Sequence, residues 1–198
     1  MNTSHSPEHD RSPESAHALP LDSLTEEIDS GLDLRSISRA ALVTAAALAL
    51  PVAFHALRLG HVFLPMYLPI LAGACFLRPG WAALTGAASP LVSAALTGMP
   101  PIFPPVALWM AIELAAMAWL ISTSTRNRRI PTALAVGVAL VAGRGLYAVL
   151  IFATGRWLEL PAGIMTLVAL LAGWPGMLLA ITTVPLAVTS LRRAGVTA

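Results

Sequence analysis

TGMPPIFPPVALWMAIELAAMAWLIST, Thr97–Thr123, joins two stretches that do not belong together in a soluble domain. The first half sets Pro100, Pro101, Pro104 and Pro105 behind Gly98, with only Ile102 and Phe103 between the proline pairs. Proline fixes φ and removes a backbone donor, so no continuous helix crosses this segment. The second half, Val106–Thr123, is apolar apart from Glu113 and its last two residues. At about 1.5 Å per residue, roughly 20 such residues cross the hydrocarbon of a bilayer. The stretch reads as a stiff apolar loop leading into a membrane-spanning helix that carries one acid.

The rest of the chain has the same character. Of 198 residues, 57% are hydrophobic and 11% charged, with a mean hydropathy of +0.75. That composition belongs to a polytopic membrane protein. The expected spans are Ala40–Leu57, Val62–Leu77, Gly80–Thr97, Val106–Thr123, Ile130–Phe152 and one ending near Leu191. The joints are RPG at Arg78–Gly80, GMPPIFPP at Gly98–Pro105, TRNRRIP at Thr125–Pro131 and TGRWLELPAG at Thr154–Gly163. Gly173-Trp174-Pro175-Gly176 interrupts the last apolar run, and proline favours a first helical turn. The sixth helix is therefore placed from Trp174, with Ile164–Ala172 as an apolar lead-in near the outer surface. The fold expected is all-α: a bundle of six transmembrane helices over residues 37–193, preceded by a tail over residues 1–36.

Charge separates these two parts. Residues 1–34 carry eight acids and Arg11, a net of −7; residues 35–198 carry eleven arginines with Glu113 and Glu159, a net of +9. The acidic, Ser- and His-containing start is no signal peptide and reads as a disordered leader, with Ser23–Leu34 able to form a short surface helix. With the N-terminus inside, Arg35, Arg39, Arg78, Arg126, Arg128, Arg129, Arg192 and Arg193 are cytoplasmic, against Arg58 and Arg156 outside. This is a positive-inside pattern with both termini cytoplasmic, so the arginines report topology and not nucleic acid. GMPPIFPP then faces outward. Cys75, the single cysteine, reads as a small buried hydrophobe.

Two ionisable residues lie well inside the expected spans, Glu113 and Arg144. Charged side chains are costly in lipid, face the bundle interior and mark function. Glu113 lies eight residues below Pro105, and Arg144 eight residues before Phe152. Each is about 12 Å below the outer surface, level with the other. Trp109 is four residues before Glu113 and Tyr147 three after Arg144, so each aromatic shares a face with its charge. An acid, an arginine, an indole and a phenol converging in the outer half suit a small planar solute, and Arg144 favours an anionic one. The plain alternative is an ion pair that only clamps two helices. His55 and His61 have poor helical spacing and no acid beside them, so no metal site is expected. No nucleotide-binding, hydrolytic or zinc motif occurs, which argues against an enzyme and against a cofactor. A carrier working alone, with Glu113 as its protonatable group, is the second functional reading.

Helix one, RAALVTAAALALPVA, repeats Ala41, Ala45 and Ala49, a small-residue ridge that permits close helix approach. Together with LPMYLPILAGACFLRPGWAALTGAASPLVSAALTGMPPIFPP, MAIELAAMAW, VAGRGLYAVL and GWPGMLLAITTVPLAV, it resembles the S components of energy-coupling factor (ECF) vitamin transporters. The likeness covers about residues 37–191 and leaves out the acidic tail. It implies a six-helix inner-membrane subunit that captures a vitamin or precursor from outside. It also implies delivery together with a scaffold membrane subunit and two ATPases. Under that resemblance Ala41, Ala45 and Ala49 become the scaffold-docking surface, and Glu113 and Arg144 match the family's helix-four acid and helix-five arginine. Leu178, Leu179 and Ala180 depart from the pattern, because relatives often carry a polar residue there. The proline loop reads as a lid, with Gly98 as hinge, Pro100, Pro101 and Pro104 as stiffeners, and Ile102 and Phe103 facing the solute.

Overall fold

In lipid each backbone N–H and C=O must be satisfied within its own segment, so apolar runs that cross a bilayer become helices. The computed structural model describes residues 34–56, 65–126, 130–159, 161–171 and 173–196. The described residues form helices joined by short turns, and no strand occurs among them. In chain order the helices are α1 (Leu34–Ala56), α2 (Tyr67–Ala74), α3 (Pro79–Thr97), α4 (Val106–Arg126), α5 (Thr132–Trp157), α6 (Ala162–Leu171) and α7 (Trp174–Arg193). The expected acidic tail and its Ser23–Leu34 helix lie outside the described residues, save Leu34.

Four of these helices, α1, α4, α5 and α7, are long and apolar enough to cross a membrane. Their apolar residues point outward as well as inward. Leu42, Leu108, Trp119, Val141, Val149 and Leu186 are all exposed, and only 17% of the apolar window of α1 is buried. A helix that is apolar on every side needs an apolar medium on every side, which marks a membrane-embedded protein.

Six spans are expected, and among the described residues four helices are long and apolar enough to cross. α3 has the length, at 19 residues, but its Thr85, Ser89 and Ser93 lower its hydropathy and turn into the protein interior. Thr85 and Ser89 each return a hydroxyl hydrogen bond to the carbonyl four residues back, which removes a donor from apolar surroundings. α2 has eight residues, about 12 Å at 1.5 Å per residue, against a core of roughly 30 Å; the beginning of its expected span falls outside the described residues. α5 runs past the expected end at Phe152 to Trp157. Gly155 alone does not stop a helix; α5 ends where the Leu158 N–H donates to the Thr154 carbonyl and Glu159 turns to φ 55°. The expected lead-in before Gly173 is itself a helix, α6, packed on α5. Gly173 adopts φ 77°, and α7 begins at Trp174 with Pro175 in its first turn, as expected.

α4 is the hub, packing against α2, α3 and α5. Its Leu114, Met117, Ala118 and Ile121 join Ile70 and Leu71 of α2, Val136 and Leu140 of α5, and Val184 and Val188 of α7 in one core. Gly86 lets α3 lie directly against the α4 backbone: a Cβ there would stand 2.5 Å from the Leu114 carbonyl oxygen. Such close approach is how helices associate without a hydrophobic driving force between them. The turn after α2 is tied to its neighbours through its carbonyls. Arg39 of α1 donates to the Phe76 carbonyl at 3.4 Å, and the Ser122 hydroxyl of α4 donates to the Leu77 carbonyl at 2.6 Å. These bonds gather the start of α1, the end of α2 and the end of α4 at one rim of the bundle.

Candidate functional site

Towards the opposite rim, α2 brings Tyr67, α4 brings Trp109 and Glu113, and α5 brings Arg144, Tyr147 and Thr154. Glu113 is fully buried and Arg144 is 8% exposed. The Glu113 and Arg144 side chains meet directly, Arg144 Nε standing 3.5 Å from Glu113 Oε1. Their equal depth in the sequence is therefore matched by contact. The pair is a charge contact and not a hydrogen bond: Glu113 Oε1 and Arg144 Nε and Nη2 are buried without any hydrogen-bond partner. The other carboxylate oxygen, Oε2, accepts a hydrogen bond of 2.5 Å from the Tyr67 hydroxyl.

Aromatic rings enclose the guanidinium. Its Cζ lies 5.4 Å from the Tyr67 ring centroid and 5.6 Å from that of Tyr147, within cation–π range of both. Tyr147 meets Trp109 edge to face, with centroids 6.5 Å apart and planes at 80°. The Trp109 indole donates to the Thr154 hydroxyl at 3.2 Å, and that hydroxyl donates in turn to the Leu150 carbonyl at 2.7 Å. Trp109 is 3% exposed, so it belongs to the interior and is no interfacial anchor.

Of the five side chains expected at the site, Glu113, Arg144, Trp109 and Tyr147 come together. Phe103 does not: it is 77% exposed, and Ile102 beside it 72%, so neither faces the buried cluster in this conformation. The reason lies in how the loop is tied. Gly98 closes α3 with φ 74° and an N–H bond to Ala94, a left-handed helix end that glycine adopts without strain. Ser93 donates its hydroxyl to the Met99 carbonyl at 2.7 Å. The first amides of α4, Val106 and Ala107, bond to the Pro104 and Pro101 carbonyls. Pro100 and Pro104 follow cis peptide bonds. The carbonyl pairing turns the loop backbone towards α4 and leaves Ile102 and Phe103 outward.

Ala41, Ala45 and Ala49 are exposed along α1, whereas Ala47 is fully buried. The ridge faces away from the bundle. The side chain of His55 and all of His61 lie outside the described residues. Cys75 is a free, buried thiol whose Sγ donates to the Leu71 carbonyl. Among the described residues no group of three His, Cys, Asp or Glu could hold a metal ion.

Sequence reasoning missed Tyr67 and Thr154. Tyr67 had one available signal: the chain has only two tyrosines, and a phenol inside an apolar run needs a polar partner. Thr154 was hidden by ending α5 too early. No protein-family model matches the chain, and neither curated proteins nor solved structures match it.

Proposed function

We propose that this protein is the solute-binding membrane subunit of an ECF-type importer, taking a small vitamin-like molecule from outside and passing it inward with a scaffold subunit and two ATPases. In this reading the chain crosses the inner membrane six times with both termini in the cytoplasm, and it performs no reaction itself. The observation that carries the reading is the buried guanidinium of Arg144. Two of its nitrogens have no hydrogen-bond partner, and two tyrosine rings lie against it. Buried polar groups are almost always hydrogen-bonded, so an exception calls for a role. Recognition of a small planar solute supplies one: donors for its polar edge and π-faces for its ring. The outward face of Ala41, Ala45 and Ala49 supports a partner on α1.

The rival reading is a structural clamp between α4 and α5, favoured by the direct Glu113–Arg144 contact. A clamp gains most from short, aligned hydrogen bonds, and this pair makes none between its members. The carrier that works alone remains the other alternative. Uptake of labelled vitamins, measured in cells with and without the scaffold and ATPases, separates the three. The account expects uptake only with the partners present. Uptake that persists without them favours the lone carrier, and no uptake of any vitamin with them present favours the clamp.

A further inference from the structure

The atoms left without partners form a pattern. On the Glu113 side is one acceptor, Oε1; on the Arg144 side are two donors, Nε and Nη2. Oε1 and Nε are 3.5 Å apart, so the acceptor and the donors lie side by side. The two charges cancel, and the pair is almost completely buried. Among the described residues, the one polar group hydrogen-bonded to the pair is the Tyr67 hydroxyl, on Glu113 Oε2.

Consider two ligand edges. A carboxylate has acceptors only. Placed on Arg144, it brings a second negative group beside Glu113 Oε1, offers that oxygen no proton, and leaves the buried site with a net charge. Buried charge without a counter-charge is strongly disfavoured, and like charges at this range repel in a weakly screened interior. An amide-type edge has a donor next to an acceptor and no charge. Its N–H reaches Oε1 while its carbonyl takes a donor from Arg144, and the site stays neutral.

Resting on the reading of this cluster as a solute site, we propose that the solute is an uncharged planar heterocycle bearing an adjacent N–H donor and carbonyl-type acceptor, the donor bound to Glu113 Oε1 and the acceptor to Arg144. This reverses the preference for an anion that Arg144 suggested on its own. The presence of Glu113 in contact with it is what changes the sign. Arg144 supplies direction, Glu113 excludes anions, and the Tyr67 and Tyr147 rings accept the flat body of the ligand.

The test uses the full chain in lipid nanodiscs and matched pairs that share a heterocycle: nicotinamide with nicotinate, pyrazinamide with pyrazinoate, picolinamide with picolinate. Binding is read by calorimetric titration up to millimolar ligand. The carboxamide of each pair binds at least about tenfold more tightly than its carboxylate, the discrimination expected of one buried like-charge contact. In Glu113→Gln the site gains a net positive charge and the preference turns to the carboxylate. Tighter carboxylate binding by the wild type overturns the proposal, as does a preference that Glu113→Gln leaves unchanged. Absence of binding by every pair also overturns it. In each of those cases partner-dependent vitamin uptake can still occur, so the broader reading fails or stands separately. Should Glu113→Gln not fold, the wild-type ratios alone decide.

Discussion

Tyr67 of α2 donates its hydroxyl to Glu113 of α4 at 2.5 Å, and the same tyrosine ring lies 5.4 Å from the Arg144 guanidinium of α5. One side chain thus touches both members of the ion pair, joining three helices at the level where the charges meet. Tyr67→Phe separates the two contacts. The ring stays, and Glu113 Oε2 loses its donor. The expected cost is about 1–3 kcal/mol of stability, the penalty for a buried acceptor left unmade, seen as a lower midpoint in detergent denaturation. An unchanged midpoint contradicts the role given to Tyr67.

Backbone contact between α3 and α4 rests on Gly86. A Cβ there stands 2.5 Å from the Leu114 carbonyl oxygen, whereas one at Gly137 or Gly145 meets nothing within 4 Å. Gly86→Ala forces the helices apart one residue from Glu113, so both stability and solute binding fall, the former by about 1–3 kcal/mol as for an overpacked core. Gly145→Ala serves as the control and changes neither. Equal effects of the two substitutions count against the α3–α4 contact.

Much of this was legible in the sequence, for reasons that differ from residue to residue. Glu113 and Arg144 stand out because charge inside an apolar run is costly and calls for a partner or a role, and equal depth brought them together. Trp109 and Tyr147 followed from helical spacing. The proline loop between α3 and α4 and the glycine break before α7 were set by local backbone chemistry. What stayed hidden depends on tertiary partners. Tyr67 lies on a helix too short to show a pattern, and its value comes from two other helices. The hydroxyls of α3 lower its hydropathy, but only the neighbouring helices decide that Thr85, Ser89 and Ser93 turn inward. Phe103 looked like a lid residue because loop composition does not tell inward from outward.

Phe103 gives the next expectation. At 77% exposure, its loss costs the unliganded protein little, within about 0.5 kcal/mol as for an ordinary surface change. If the loop closes over solute, Phe103→Ala accelerates solute dissociation without moving the denaturation midpoint. Identical dissociation rates in variant and wild type remove the lid role from Phe103.

Ala45 is exposed on α1, so Ala45→Leu adds volume where nothing in the bundle opposes it. Stability and solute binding are expected to match the wild type. Under the proposed importer reading, co-purification with a scaffold subunit is expected to fail, because a ridge of small residues works by close approach. Normal co-purification places the partner surface elsewhere, and loss of stability makes the ridge part of the fold.

The central claim is that Glu113 and Arg144 bind solute and do more than hold helices together. Removing one charge alone does not test it, because an orphaned buried charge costs about 3–5 kcal/mol whatever its purpose. The double change Glu113→Gln with Arg144→Met removes both charges at similar volume and keeps an acceptor for the Tyr67 hydroxyl; replacing a buried ion pair by hydrophobic side chains is often neutral or stabilising. The decisive measurement is solute binding by this double variant beside its denaturation midpoint, using the vitamin identified by partner-dependent uptake. The account predicts a midpoint at or above that of the wild type, with binding reduced at least about a hundredfold, the loss of roughly two 1.4 kcal/mol steps. Binding of wild-type strength in the stable double variant contradicts the account and leaves the pair a clamp.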